Sequence, residues 1–291
     1  MPLHIETPLV AAGPSAWLKM EALQPPGSFK IRGIGHACET YVQRGARRFV
    51  SSSGGNAGIA AAYAGRELGV PVVVVVPETA SERAIELIRL QRAEVIVHGA
   101  SFQEANLLAR SMVTPTDAFI HPFDDPLLWE GHASMIDEVA RAGIKPGAVI
   151  LSVGGGGLMC GVIAGLRRNG LHGVPVIAVE TEGAASLARS MEAGQRIELP
   201  AITSIATSLG ARQVAEQAFT WTREHDVRSR VVSDRAAVSA CLRFYEEHGI
   251  VVEPACGASL AVFYEGAPAP DTLVIACGGV TATLEQLHAW R

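Results

Sequence analysis

Lysine occurs three times in this 291-residue sequence, at Lys19, Lys30 and Lys145, and the rest of its 24 basic residues are arginine. Chemistry that needs a primary amine therefore has three candidates. Lys145 precedes Pro146-Gly147 and reads as a solvated turn residue. Lys19 lies in Trp17-Leu18-Lys19-Met20-Glu21, where strand alternation lets it point outward. Lys30, in Gly27-Ser28-Phe29-Lys30-Ile31-Arg32-Gly33, is the amine left by elimination. Lysine is seldom buried without a task, although a solvated side chain is the alternative at any one position.

Three glycine-rich segments follow strand-like runs and precede helix-like ones, where free backbone N–H groups make anion sites. Ser51-Ser52-Ser53-Gly54-Gly55-Asn56-Ala57-Gly58 offers hydroxyls, an amide and several N–H donors, which suits a carboxylate. A flexible loop with a capping Ser or Asn is the other reading. Gly154-Gly155-Gly156-Gly157 lets consecutive N–H groups converge on one anion, with the dipole of the next helix adding to the field. A phosphate fits there better than a tight turn alone, which would not need four glycines. The segment is not a Walker A loop, since no Lys-Ser/Thr follows, and no GxGxxG spacing occurs. Cys277-Gly278-Gly279 permits close approach of a ligand but is weak evidence by itself.

The elements that must position these residues alternate. Strand-like runs are Ala16–Met20, Arg48–Ser52, Pro71–Val76, Glu94–His98, Ala118–His121, Ala148–Val153, Pro175–Glu180, Arg230–Ser233 and Leu273–Cys277. Helix-like stretches are Ala57–Leu68, Ser81–Gln91, Phe102–Ser111, His132–Ala142, Leu158–Asn169, Ala184–Ala193, Arg212–Arg223, Arg235–His248 and Thr281–Trp290. Several strands are apolar throughout, as parallel strands covered on both faces are. The alternation predicts an α/β fold with an open, doubly wound sheet. Asp234 is expected to cap Arg235–His248, which Gly249 ends, and Pro122–Pro126 to cross between domains.

Composition narrows the function. With 48% hydrophobic residues the chain is not disordered, and a net charge of −5 gives no support to nucleic-acid binding. No apolar run approaches the ~18 residues of a membrane span, and the N-terminus lacks the marks of a signal peptide. The cysteines Cys38, Cys160, Cys241, Cys256 and Cys277 show no CxxC spacing, so neither a zinc site nor a disulfide framework is favoured. Reduced thiols in a cytoplasmic enzyme are the default expectation.

Gly27-Ser28-Phe29-Lys30, Ser53-Gly54-Gly55-Asn56-Ala57-Gly58, Gly154–Gly157 and Cys277-Gly278-Gly279 stand in the order and approximate spacing of the fold-type II pyridoxal-phosphate enzymes, which the chain resembles over nearly its whole length. Longer strings narrow the resemblance. Gly27–His36, Pro122-Phe123-Asp124-Asp125-Pro126, Trp129-Glu130-Gly131-His132-Ala133-Ser134 and Val252-Glu253-Pro254-Ala255-Cys256-Gly257-Ala258 are similar to those of the catabolic L-serine/L-threonine dehydratases of the liver type.

The resemblance implies open, mostly parallel sheets with helices on both faces, a large domain of residues 1–22 and 124–291, and a small one of 23–123. It implies that Lys30 binds pyridoxal phosphate covalently and later takes the Cα proton as general base. Phe29 would pack on the cofactor ring. Ser53, Gly54, Gly55 and Asn56 would bind the substrate carboxylate, with Asn56 also meeting the cofactor's 3′-oxygen. Gly154, Gly155, Gly156 and Gly157 would hold the phosphate. Cys277, with Gly278 beside it, would face the pyridine nitrogen. No acidic side chain is evident in these motifs, so the cofactor phosphate is expected to protonate the departing hydroxyl. A monovalent cation, K+, is expected at Glu180 with carbonyls near Gly154, Ala184, Leu209 and Ala211, the alternative being an exposed glutamate at a strand end.

The implied activity is the β-elimination of a small hydroxy-amino acid, L-serine ahead of L-threonine, to a 2-oxo acid and ammonia by a homodimer. Gly54 departs from the Ser or Ala of many relatives, which bears on substrate preference. The rival readings are a β-replacing synthase of the same fold, whose carboxylate loop usually reads Thr-Ser-Gly-Asn-Thr, and a weakly active cofactor-binding protein.

Overall fold

Two sheets with no strand in common organise the chain, described over residues 1–291 by a computed structural model. Six strands, β1 (Leu9–Ala11), β2 (Ala16–Lys19), β7 (Val149–Ser152), β8 (Val176–Thr181), β9 (Val227–Val232) and β10 (Thr272–Ile275), lie in the order β1-β2-β10-β7-β8-β9. Only the β1–β2 pair is antiparallel. The other four, β3 (Arg48–Ser51), β4 (Val72–Val76), β5 (Glu94–Val97) and β6 (Asp117–Ile120), form an all-parallel sheet in the order β5-β4-β3-β6. Every residue of β4, β7 and β8 is buried, so both faces of each sheet are covered and a continuous apolar run is the pattern required.

The covering helices are α1 (Lys30–Gln43), α2 (Asn56–Leu68), α3 (Glu82–Leu90), α4 (Phe102–Ser111), α5 (Pro126–Arg141), α6 (Gly157–Arg168), α7 (Ser186–Ala193), α8 (Glu216–Glu224), α9 (Asp234–His248), α10 (Pro254–Glu265) and α11 (Leu284–Ala289). None is long and apolar enough to cross a membrane. Parallel strands all deliver their carboxyl ends to one edge of a sheet, and ligands bind in the crevice there. The three glycine-rich segments leave β3, β7 and β10 at such ends.

Three elements and two side chains differ from the pattern that the sequence predicts. α1 was not anticipated because Gly33 and Gly35 break its pattern. Gly33 is needed there, since a Cβ on it would stand 2.5 Å from the Leu128 carbonyl oxygen and 2.6 Å from the His132 ring. α10 is buried continuously from Pro254 to Val262, so it has no polar face and no period to read. β1 is three residues long. α5 also begins at Pro126, six residues before the expected start at His132. Lys19 does not point to solvent: it is 1% exposed, because both faces of β2 are covered. Its amine meets Glu138 at 2.5 Å and Thr7 at 2.6 Å. Ser233, not Asp234, caps α9, and the Asp234 carboxylate instead accepts from Ser204 Oγ at 2.5 Å and Ile205 N–H at 3.0 Å.

Candidate active site

The segment before α1 is stitched to the end of β10. Phe29 N–H donates to the Cys277 carbonyl at 3.1 Å, and Gly279 N–H to the Gly27 carbonyl at 2.9 Å. Gly278 must be glycine for this, having φ +87 and room for no Cβ, which would lie 2.5 Å from Gly27 O. The stitch places Lys30, the first residue of α1, with its amine 2.6 Å from the Pro122 carbonyl oxygen and 5.2 Å from the Phe29 ring centroid. Lys30 keeps part of its surface exposed, yet burial pushes its amine from 10.5 down to about 8, against the opposing pull of Cys277 and Glu253.

Two residues on, Arg32 fixes the start of α1. Its guanidinium is fully buried and pairs with Glu21 at 2.6 and 2.8 Å and with Glu138 at 2.6 and 2.8 Å. Lys19 completes a buried group of two cations and two anions. Burial alone would push the Glu21 carboxyl up, but the Arg32 guanidinium outweighs it and holds it below the usual range.

The four glycines after β7 present a row of donors. Gly156 has φ +89 and caps α6 without any side chain. The N–H groups of Gly154, Gly155, Gly156 and Gly157 have no acceptor anywhere in the chain. A Cβ on Gly155 would stand 2.2 Å from the Phe123 ring, and one on Gly157 2.6 Å from the Phe123 carbonyl oxygen. The Pro122–Pro126 stretch thus packs the glycine row on one side and receives the Lys30 amine on the other. Its part in the site was not legible from its composition.

Asn56 opens α2 at the end of the serine-rich loop. Its Nδ2 donates to Glu253 at 2.5 Å and to Ser208 Oγ at 3.4 Å, and its Oδ1 accepts from Val280 N–H at 3.2 Å. The first and third glycine-rich segments are therefore joined through one amide. The loop is pressed onto its helix at Gly58, where a Cβ would lie 1.9 Å from the Ser53 carbonyl oxygen. A Cβ on Gly54 would touch Ala80 at 3.2 Å and Val76 at 3.3 Å. Glu253 was missed as a site residue. It is 4% exposed and sits against Asn56, which is 197 residues away in sequence.

Cys277 is buried, and a hydrogen bond with Cys256 and burial push its thiol well up, so it stays S–H. Glu180 is fully buried, and its two oxygens accept from Leu187 N–H at 2.8 Å and Ala188 N–H at 2.7 Å. Burial raises it to about 7. Of the other residues expected around a cation, Gly154 lies against Leu209, whose Cα would be 3.0 Å from a Cβ there. His132 is fully buried with its ring centroid 4.9 Å from that of Phe29, and burial, with Lys30 next, keeps it neutral.

A buried amine, an unpaired row of N–H donors and a neutral thiol can receive one phosphorylated aldehyde. Residues 1–278 match the family described as "Pyridoxal-phosphate dependent enzyme". The chain is 47% identical, over all of its length and 95% of the relative's, to the L-serine dehydratase/L-threonine deaminase of Homo sapiens. It is 46% identical, over 99% of its length and 94% of the relative's, to the serine dehydratase-like protein of Mus musculus. Among solved structures it is similar to an L-serine ammonia-lyase from the fungus Rhizomucor miehei, with a TM-score of 0.94 and 34% identity over 100% of this chain and 99% of the other.

Proposed function

The chain belongs to the family of pyridoxal-phosphate dependent enzymes, and on that premise we propose that it is an ammonia-lyase that dehydrates and deaminates L-serine and L-threonine to a 2-oxo acid and ammonia. The observation that carries the site assignment is the Pro122-Phe123 segment, which receives the Lys30 amine at 2.6 Å on Pro122 O and packs through Phe123 against Gly155 and Gly157, whose N–H groups are unpaired. These residues fit the cofactor: the N–H row suits its phosphate, the amine its aldehyde, and the Phe29 ring its ring face.

Bound pyridoxal phosphate supplies an aldehyde carbon for amines and a conjugated ring that takes up electrons released at Cα. The chain supplies the rest. Burial keeps the Lys30 amine below the ordinary lysine range, which suits it to accept the Cα proton as general base. Ser53, Gly54, Gly55 and the backbone N–H of Asn56 would hold the substrate carboxylate, and Gly154–Gly157 would hold the phosphate. The Cys277 thiol, kept as S–H, would offer no anion to the ring nitrogen and so would leave a bound ring a weaker electron acceptor, which suits β-elimination.

The same reading includes the division into residues 1–22 with 124–291 and 23–123, supported by the separate four-stranded sheet between Arg48 and Ile120. It includes K+ near Glu180 and Leu209, supported by the buried acid, and a homodimer, supported by the resemblance. A cytoplasmic location is supported by five free cysteines.

The test is release of ammonia and 2-oxo acid from a panel of L- and D-amino acids, with and without sulfide, using Lys30→Ala as control. Release from L-serine and L-threonine without sulfide, lost in Lys30→Ala, is expected. Silence of the wild type toward every hydroxy-amino acid would sink the assignment.

A further inference from the structure

We propose that Glu253 is a positioning residue whose carboxylate keys the Asn56 amide of the substrate loop onto the loop that follows β10. The inference rests on the lyase reading above and assigns a role to a side chain that reading does not use.

Glu253 is carried on a rigid base. It is the N-cap residue of α10, with Pro254 at the first helical position, and the helix behind it is buried. Its carboxylate is surrounded by donors. Asn56 Nδ2 donates to Oε1 at 2.5 Å, and Thr281 Oγ1 to Oε2 at 2.5 Å. The Ser208 hydroxyl and the Thr281 backbone also face it as donors. The seat is shaped for it: Gly279 has φ +122, and a Cβ there would fall 2.1 Å from Glu253 Cδ.

The consequence falls on Asn56. An amide free to turn presents either its oxygen or its nitrogen to a ligand. Here Nδ2 is committed to Glu253 and Oδ1 to Val280 N–H at 3.2 Å, so the two ends cannot exchange. Asn56 opens α2 beside the four-stranded sheet, whereas Glu253, Val280 and Thr281 belong to the part of the chain that builds the six-stranded one. One carboxylate therefore registers the substrate loop against the cofactor end of β10. A glutamine at position 253 has the same shape but one acceptor oxygen fewer, and so leaves Asn56 or Thr281 facing an NH2 group.

The experiment is a double-mutant cycle on Glu253→Gln and Asn56→Ala, read in two ways. One is the KM and kcat for L-serine of the holoenzyme. The other is the affinity of the apoprotein for pyridoxal phosphate, followed by absorbance. Loss of a charge-assisted bond predicts a KM raised roughly tenfold or more in Glu253→Gln, with a smaller change in kcat. Because Glu253 acts through Asn56, the double variant should be no worse than Asn56→Ala alone in either readout. An unchanged KM in folded Glu253→Gln, or effects that multiply, would overturn the proposal. Should Glu253→Gln not fold, Thr281→Val frees Oε2 instead. It must then raise KM and likewise add nothing to Asn56→Ala. A wild type that releases no ammonia would defeat the lyase reading, while the cofactor-affinity cycle would still decide the coupling.

Discussion

The Lys30 amine lies 2.6 Å from the Pro122 carbonyl oxygen, and no carboxylate stands within ion-pair distance of it. A carbonyl dipole holds the side chain in place without fixing its proton. Burial can then lower the amine from 10.5 to about 8, with Cys277 and Glu253 opposing only partly.

That value predicts how the apoprotein takes up its cofactor. The reactive form is the neutral amine, which is lost as pH falls below the pKa. The rate of reconstitution with pyridoxal phosphate should rise with pH up to about 8 and then level off. Rates followed by absorbance between pH 6 and 10 decide it, since an ordinary lysine would keep gaining through pH 9.

Gly54→Ala should move substrate preference toward serine. The added Cβ meets Ala80 at 3.2 Å and Val76 at 3.3 Å, so the loop shifts by a few tenths of an ångström without unfolding. Threonine carries one methyl more than serine, and a methyl in a tight pocket is worth ~1–3 kcal/mol. The serine-to-threonine ratio of kcat/KM should rise by roughly tenfold or more on that basis. An unchanged ratio would place the loop away from the substrate side chain.

Arg32→Met should be among the most damaging single changes. It leaves Glu21 and Glu138 buried together with Lys19 as their one cation. Breaking a buried ion group from one side costs about 3–5 kcal/mol. Urea unfolding measures it. Because Glu21 is held below 4.5 in the fold, its share of stability is present above that pH and is lost as pH falls below it.

Glu180 behaves in the opposite sense. In K+-free protein its folded value of about 7 exceeds the ordinary 4.5, so its contribution is whole below pH 4.5 and is lost as pH rises through 7, whereas a cation beside it would hold it ionised. The loss amounts to about 3 kcal/mol. In Glu180→Gln the slope of unfolding free energy against pH across that window should flatten. An identical slope in both proteins would show that another group titrates there.

The legible part of the site was the part in which residue type is forced. One amine in a string of matched residues and glycines at three strand ends could be read because a Cβ or a different side chain would fail there. α10 was hidden because a helix buried all round has no period, and α1 because Gly33 and Gly35 look like breaks until His132 is seen beside Gly33. Lys19 was misread because alternation assumes one wet face, and β2 has none. Glu253 and Pro122 could not be found by spacing, since their partners Asn56 and Lys30 lie 197 and 92 residues away.

The pairing of Gly27 with Gly279 also sets a timetable for synthesis. The segment that carries the lysine emerges from the ribosome long before the strand end to which it is stitched. A nascent chain halted before Cys277 can already hold the four-stranded sheet, yet it lacks the backbone partners that fix the segment from Gly27 to Phe29 in front of Lys30. Products that stop before Cys277 should therefore stay colourless, and capture of the vitamin should require the Cys277–Gly279 segment.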